Sequence, residues 1–286
     1  MMEQAELHTF RALIKQGAAA QDIFDGQVEA IGPVSEAFVQ REIARVTQHQ
    51  AALCPLLERH VGQVNSVLDV GCGTGGTSVA MALSPVLKPL RLVGVDPNSK
   101  TIEAARVRAQ GYQLSPPRLQ FVVIDGNRPL PYRDGEFDLT TCVSVLEFIE
   151  TDSERRRFVS ELRRVTRPGG YVYLATPNPY RLSRVHKSRW IGDSIFRKGM
   201  PWSWPPGCVA EAFAGCQIVP LARFRMSEVF RGRGWVTRLP DWMCDLMVSI
   251  MPWQKVLARM PQPDQAQTAG RGAGRDEAAG AAANFR

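Results

Sequence analysis

The stretch VLDVGCGTGGTS, residues 67–78, places four glycines directly after a short apolar run. Glycine allows backbone conformations that other residues avoid and lets the chain approach a ligand closely. Parallel α/β sheets bind their ligands at the carboxyl ends of the strands. The stretch therefore predicts a cofactor loop between a first strand and a first helix. Gly71, Gly73 and Gly76 match the pattern Gly-x-Gly-x-x-Gly, which alone does not separate a dinucleotide from other adenosine-containing cofactors.

Five short apolar segments follow one another from residue 66 onward, with helix-like stretches between them. They are SVLDV, RLVGVD, LQFVVID, FDLTTCVSV and YVYLAT. This alternation is typical of a parallel sheet with helices on both faces. Asn98 and Asp152 are predicted to cap the helices after the second and fourth segments. We therefore expect a doubly wound, mostly parallel, Rossmann-like α/β sheet.

Composition and pattern divide the chain into five parts. Residues 1–60 are predicted to form an N-terminal helical cap, with Ser35 at the start of a long helix. Residues 61–177 are the expected cofactor-binding core, 178–206 a substrate-side insertion, and 207–260 the end of the core with a helical lid. Residues 261–286 contain mostly Ala, Gly and polar residues, which bury too little apolar surface to order a chain. We expect that tail to be disordered.

The composition narrows the class of protein. The chain has 286 residues, 44% of them hydrophobic, and a formal net charge of +7. This length supports one large domain, and so modest a positive charge is typical of a solvated surface. The six cysteines lack Cys-x-x-Cys spacing, so neither a disulfide framework nor a metal site is expected. No segment resembles a signal peptide or approaches the roughly 20 apolar residues of a membrane span, so a cytoplasmic location is expected.

Three acidic residues stand at the ends of successive predicted strands. Asp69 lies where a carboxylate can face a cationic amino group, whereas it would repel the pyrophosphate of a dinucleotide. Asp96 can accept hydrogen bonds from ribose hydroxyls, and Asp125 from an adenine amino group beside Gly126. Asp96 and Asp125 are each also compatible with a helix cap or a turn. Their joint placement favours an adenosine cofactor that carries a zwitterionic group.

These segments resemble the class I S-adenosylmethionine-dependent methyltransferases that act on small molecules. The likeness is carried by VLDVGCGTGG, VGVDPN, VVIDGNRPLPYRDGEFDLTTCVSVLEFI and LRRVTRPGGYVYLATPNP, in family order over about residues 66–179. It implies S-adenosylmethionine as cofactor. The glycine loop would hold the methionine part, the second-strand acid the ribose, the third-strand acid the adenine, and the fourth-strand end would border the sulfonium. The residues implied are Asp69, Gly71, Gly73, Gly75, Asp96, Asp125, Gly126, Cys142 and Val143.

The implied reaction is an in-line attack of a substrate nucleophile on the methyl carbon. The protein mainly supplies alignment and excludes water, and a base is needed when the nucleophile is an alcohol or an amine. Many relatives carry a histidine where this chain has Phe148. The candidate bases are therefore Glu147, Tyr180 and His186. Glu147 is equally compatible with a helix-start carboxylate, and His186 with an incidental loop residue.

The segment after the fifth strand interleaves basic and aromatic residues, and it leaves the sheet on the ligand-binding edge. Arg181, Arg184, Arg189 and Trp190 are its candidate substrate-binding residues. Cations beside an apolar wall favour a small anionic metabolite or a lipid-linked acceptor, with O- or C-methylation favoured. A solvated basic loop is an alternative interpretation.

Two other activities are compatible with parts of the pattern. Basic and aromatic residues also bind single-stranded nucleic acid, so an RNA methyltransferase is one alternative, although the chain shows no recognition domain and no nucleic acid is expected. A nicotinamide-dependent oxidoreductase would share the fold and the glycine loop, but Asp69 and the absence of a Tyr-x-x-x-Lys pair argue against it.

Residues 241–260 carry apolar side chains at helical spacing. This stripe favours a core or lid helix, with peripheral membrane contact as the alternative. The sequence does not indicate which oligomeric state the protein adopts.

Overall fold

The computed structural model describes residues 4–19, 36–177, 204–222, 238–240, 242–244 and 253–262. The helices in these ranges, numbered along the chain, are α1 (Gln4–Ala19), α2 (Glu36–His60), α3 (Gly76–Ala82), α4 (Ser99–Gly111), α5 (Asp152–Val165) and α6 (Pro206–Ala212). The strands are β1 (Ser66–Val70), β2 (Arg91–Asp96), β3 (Leu119–Val123), β4 (Phe137–Val143), β5 (Thr166–Pro177), β6 (Gln217–Ile218) and β7 (Trp253–Arg259).

All seven strands form one sheet in the order β3-β2-β1-β4-β5-β7-β6. Strands β1 to β5 are parallel to one another, whereas β7 runs antiparallel to both β5 and β6. The predicted mostly parallel α/β sheet is therefore confirmed. The strand order reverses between β1 and β4, which is the place where doubly wound sheets bind ligands.

The core has one layer on each face of the sheet. Neighbouring residues of β1 show this, because Val67 packs into the layer that contains α2 and α3 residues, and Leu68 into the layer that contains α5 and α6 residues. A strand covered on both faces reads as a continuous apolar run rather than an alternating one, which is why SVLDV is recognisable in the sequence.

The two predicted helix caps that lie within the described residues have different outcomes. Asn98 caps α4 as predicted, since its side chain accepts hydrogen bonds from the amides of Lys100 at 2.9 Å and Thr101 at 3.2 Å. The prediction for Asp152 is wrong by one residue. Thr151 caps α5 and forms a capping box with Glu154, because a Thr-x-x-Glu pattern satisfies two backbone amides at once.

The expected helix over residues 241–260 is wrong for Trp253–Arg259, which forms β7 between β5 and β6. Leu257 and Ala258 are both buried but pack into opposite core layers. Consecutive apolar residues on a strand with two buried faces imitate the spacing of a helical stripe. Trp242, at the start of the stripe, is 63% exposed, and residues 245–250 lie outside the described ranges.

Helices α1 and α2 confirm helical structure for 4–19 and 36–60. Phe10 and Ile14 of α1 pack against Val39 of α2 and Ala104 of α4. The predicted cap Ser35, the insertion through residue 203 and the tail from residue 263 lie outside the described residues. None of the described helices has the length and apolarity of a membrane span.

Candidate active site

The glycine loop connects β1 to α3 and is anchored to the end of β2. The amides of Gly71 and Cys72 donate to the Val95 carbonyl oxygen at 2.8 and 3.0 Å. Gly71 must be glycine, because its φ is +71° and an added Cβ would lie 2.2 Å from Cγ2 of Val145. Gly73 also has a positive φ, +51°, but a Cβ there would meet nothing within 4 Å. The backbone at Gly73 therefore faces open space, as a loop that cradles a ligand requires.

Asp96, at the end of β2, joins this loop to the start of α4. Its Oδ2 accepts from the Gly73 amide at 2.9 Å. Its Oδ1 accepts from the Asn98 amide at 2.9 Å and from the Thr101 hydroxyl at 3.1 Å. Burial raises the pKa of Asp96 above its ordinary value. A carboxylate has about four acceptor positions, so one remains after these three hydrogen bonds from described residues.

Asp69 is enclosed beneath the loop and is only 1% exposed. Ser78 Oγ donates to its Oδ2 at 2.6 Å, and Thr141 Oγ1 donates to its Oδ1 at 2.8 Å. Burial raises its pKa to about 6, although both hydrogen bonds act in the opposite direction. The carboxylate thus ties β1 to α3 and β4. Its predicted contact with a cofactor amino group stays a prediction.

Asp125 and Gly126 follow β3 in an exposed turn. Asp125 accepts from the Asn127 amide at 2.9 Å and pairs with Arg128 at 3.1 Å. A Cβ on Gly126 would lie 3.5 Å from Cβ of Pro97. The turn after β3 is therefore next to the turn after β2, as expected for parallel neighbours, and the adenine contact itself stays a prediction.

The end of β4 contains a backbone conformation that is rare for a residue with a side chain. Ser144 has a φ of +62°, and its amide donates to the Ala175 carbonyl oxygen at 2.9 Å. Such a conformation costs roughly 1–3 kcal/mol and is concentrated at functional sites. Cys142, one of the predicted cofactor neighbours, is buried in the core, and Val143 is partly buried. Their predicted place beside the sulfonium is not tested.

Glu147 lies in a 3₁₀ turn, Leu146–Phe148, that follows this strand end. It is only 3% exposed, and its Oε2 accepts from the Thr176 hydroxyl at 3.3 Å. Burial raises its pKa to about 7, although hydrogen bonds from Thr176 and Ser144 and the positive charge of Arg45 favour the ionised form. A carboxyl group whose pKa is near 7 is partly ionised at neutral pH and can accept a proton there.

The other predicted site residues lie outside the described part of the chain. They are Tyr180, His186, Arg181, Arg184, Arg189 and Trp190. Phe148, at the position where many relatives carry a histidine, is 37% exposed. Within the described ranges, no three His, Cys, Asp or Glu side chains group as potential ligands of a metal ion.

Helix α2 supplies polar contacts to the loop that the sequence analysis missed. Glu42 Oε2 accepts from the Thr74 hydroxyl at 2.7 Å, and His49 Nε2 lies 3.3 Å from Oγ1 of Thr77. Burial and the charges of two nearby arginines lower the pKa of His49 to about 4, so the ring is neutral at pH 7. Glu42 and His49 lie two turns apart on one helical face, a spacing that could have drawn attention to them.

A family model described as a methyltransferase domain matches residues 68–174. Residues 68–174 are a class I S-adenosylmethionine-dependent methyltransferase domain. The match covers the glycine loop, Asp96, Glu147 and most of β5, so the predicted family and its cofactor, S-adenosylmethionine, are confirmed. The site fits that cofactor, because Gly73 leaves backbone exposed to open space and Asp96 retains an acceptor position.

Two curated methyltransferases are similar in sequence to parts of this chain. The ubiquinone biosynthesis O-methyltransferase of Albidiferax ferrireducens is 32% identical over 126 residues, 44% of this chain and 44% of that protein. The 2-methyl-6-phytyl-1,4-hydroquinone methyltransferase of a Synechocystis species is 28% identical over 212 residues, 74% of this chain and 61% of that protein. The chain spans about half the length of the curated relatives it matches.

A solved structure has a fold similar to that of this chain. It is a chain in the complex between the Trm112 methyltransferase activator of Haloferax volcanii and a methyltransferase, with 19% sequence identity and a TM-score of 0.51. The similarity covers 78% of this chain and 95% of that chain. It supports the Rossmann-like sheet alone.

Proposed function

We propose that this protein transfers the methyl group of S-adenosylmethionine to a nucleophilic atom of a small-molecule acceptor. The observation that carries the proposal is the conformation of the glycine loop. Gly73 faces open space where a ligand can bind, and its amide donates a hydrogen bond to Asp96. Glu147 lies after the adjacent strand β4. A cofactor site and a proton acceptor thus share one edge of the sheet, which a transfer reaction requires.

The cofactor supplies a methyl group bonded to a positively charged sulfur. Asp96 offers its remaining acceptor position to a ribose hydroxyl, and the turn at Gly126 provides backbone beside the adenine. Arg45 of α2, whose Nε is paired with Glu42 at 2.7 Å, places a positive charge close enough to Glu147 to lower its pKa. Glu147 takes the proton that an alcohol or amine nucleophile must lose.

The acceptor that we propose is a small anionic metabolite or a lipid-linked molecule, with O- or C-methylation favoured. The names of the two curated relatives support a small molecule, since one is an O-methyltransferase of ubiquinone biosynthesis and the other methylates a phytyl hydroquinone. The six basic residues at positions 181–198 support the anionic character. Arg181, Arg184, Arg189 and Trp190 would contact this acceptor.

Isothermal titration with S-adenosylhomocysteine, the demethylated cofactor, tests the proposed site. Asp96→Ala removes a charged hydrogen-bonding group and should weaken binding about ten- to hundredfold. Asp134→Ala is the matched control, because Asp134 is exposed and pairs with Arg164 at 2.8 Å. It should leave the affinity unchanged. No binding to the unmodified protein, or equal binding after Asp96→Ala, would contradict the proposal.

A metabolite screen that follows release of S-adenosylhomocysteine tests the reaction itself. Quinols, phenols and carboxylates with and without lipid tails are the informative panel, because they separate the lipid-linked from the soluble acceptors. Turnover confined to RNA, with binding that grows with its length and weakens steeply with salt, would replace the small-molecule proposal.

A further inference from the structure

Helix α2 is fastened to both ends of α3 by the same kind of hydrogen bond. Before α3, the Thr74 hydroxyl donates to Oε2 of Glu42 at 2.7 Å. After α3, the Ser84 hydroxyl donates to Oε1 of Glu58 at 2.6 Å. Both are hydroxyl-to-glutamate hydrogen bonds, but only Thr74 belongs to the glycine loop, whereas Ser84 Oγ also accepts from the amides of Val86 at 3.3 Å and Leu87 at 3.0 Å. The Ser84–Glu58 hydrogen bond, which lies away from the cofactor site, can therefore serve as a control for the Thr74–Glu42 hydrogen bond within it.

The Glu42 carboxylate is held in one orientation. The side chain is only 5% exposed, and Arg45 Nε donates to its Oε1 at 2.7 Å. Its main-chain carbonyl accepts a hydrogen bond from Arg108 of α4. The Arg108 guanidinium in turn lies over the Phe10 ring of α1, 4.4 Å from its centre. Arg45 of α2 and Arg108 of α4 thus hold Glu42, which accepts the Thr74 hydrogen bond. Their positive charges offset the negative charge of its carboxylate.

The space around the first turn of α3 leaves no room for the loop to shift toward these helices. A Cβ on Gly76 would lie 2.5 Å from Nη1 of Arg108 and 2.6 Å from Cβ of Arg45. On the other side of Thr74, the Gly73 amide is bonded to Asp96 at 2.9 Å. The loop is therefore tethered at two consecutive residues, to β2 through Gly73 and to α2 through Thr74.

We propose that Glu42 is a positioning residue for the cofactor site, which acts through Thr74 to hold the glycine loop in its binding conformation. The inference rests on the proposed function, because it assigns a role toward the same cofactor. Removal of the hydrogen bond frees a loop that must then be ordered when the cofactor binds, and that ordering lowers the affinity. A contact that only stabilises the fold would lower the melting temperature without a matching loss of affinity.

The test compares affinity for S-adenosylhomocysteine, by titration calorimetry, with the melting temperature of each full-length variant. Thr74→Val removes the hydroxyl and keeps the branched shape, and it should weaken binding at least about tenfold, equivalent to about 1.4 kcal/mol. Glu42→Met removes the acceptor and should have a similar effect. Thr74→Ser keeps the hydroxyl and should stay within about threefold of the unmodified protein. Ser84→Ala, the matched control, should lower the melting temperature but change affinity less than about twofold.

A double variant makes the test sharper. Glu42→Met and Thr74→Val remove the same hydrogen bond, because methionine keeps the length of the side chain without an oxygen acceptor, so together they should weaken binding no more than either alone. Additive losses, unchanged affinity in Thr74→Val, or an equal loss in Ser84→Ala would each overturn the proposal. If Thr74→Val does not fold, Glu42→Met with Thr74→Ser carries the comparison. Failure of the proposed function looks different, since the unmodified protein would then not bind S-adenosylhomocysteine or would be insensitive to Asp96→Ala.

Discussion

Glu147 should give methyl transfer a pH dependence centred near neutrality. An ordinary glutamate has a pKa of 4.5, but burial among the ends of β4 and β5 raises that of Glu147 to about 7. Only the ionised carboxylate can accept a proton from an alcohol or amine nucleophile. The rate constant kcat should therefore be low in acid, rise through about pH 7 and level off above it.

The size of the effect follows from the fraction ionised. With a pKa of about 7, about one tenth of the Glu147 carboxyl groups are ionised at pH 6 and about nine tenths at pH 8. Turnover should thus increase roughly tenfold between these values. Glu147→Gln keeps the shape but removes the base, and it should lower kcat about 10²-fold or more. Thr176→Val removes a hydrogen bond to the ionised form and should shift the midpoint to higher pH.

Single-turnover measurements of S-adenosylhomocysteine formation, made from pH 5.5 to 8.5 with the acceptor found by screening, isolate the chemical step. Glu103→Gln is the matched control, because Glu103 is partly exposed on α4 and pairs with Lys100 at 3.0 Å. It should leave the profile unchanged. A flat profile in the unmodified protein, together with Glu147→Gln within about twofold of its rate, would refute the assignment of Glu147 as base.

Three further variants test other parts of the site. Gly71→Ala should abolish S-adenosylhomocysteine binding and lower the melting temperature, because the new Cβ would lie 2.2 Å from Val145; near-normal binding would contradict this. Asp69, whose pKa rises on folding from 3.8 to about 6, favours the folded state below pH 3.8 and loses that contribution as pH rises through 6. Asp69→Asn should flatten this slope in denaturant titrations. Arg184→Ala combined with Arg189→Ala should raise the acceptor KM and leave cofactor affinity unchanged, in steady-state and titration measurements.

The sequence predicts the sheet well because its strands are buried on both faces. SVLDV is a short apolar run followed by a glycine, and RLVGVD is one that ends at an acid, as is typical of strands covered on both faces. The same rule explains the error at Trp253–Arg259. There the apolar residues continue a longer stripe, and nothing local distinguishes a strand that completes a sheet antiparallel from a helix.

The site was predictable only where a strand end fixes a residue's position. Asp96 and Gly126 could be placed next to each other because the carboxyl ends of β2 and β3 must meet, and Gly126 does lie beside Pro97. The burial of Glu147 was not predictable, because it depends on how the turn after β4 packs against Thr176, 29 residues further along the chain. The upward pKa shift that makes Glu147 a candidate base therefore appears only in the folded structure.

The two tethers of the glycine loop come from different parts of the chain. Asp96 lies inside the segment that matches the methyltransferase domain, residues 68–174. Its hydrogen bond from the Gly73 amide connects the loop to the end of β2. Glu42 lies before that segment, on a helix whose sequence the family model does not cover. A loop that needs both tethers would bind its cofactor poorly if the domain were cut at the family boundary, even though every glycine and acid of the recognisable pattern remained. On this proposal the N-terminal helices contribute to the cofactor site through the Glu42–Thr74 hydrogen bond, and Glu42→Met tests that contribution without removing either helix.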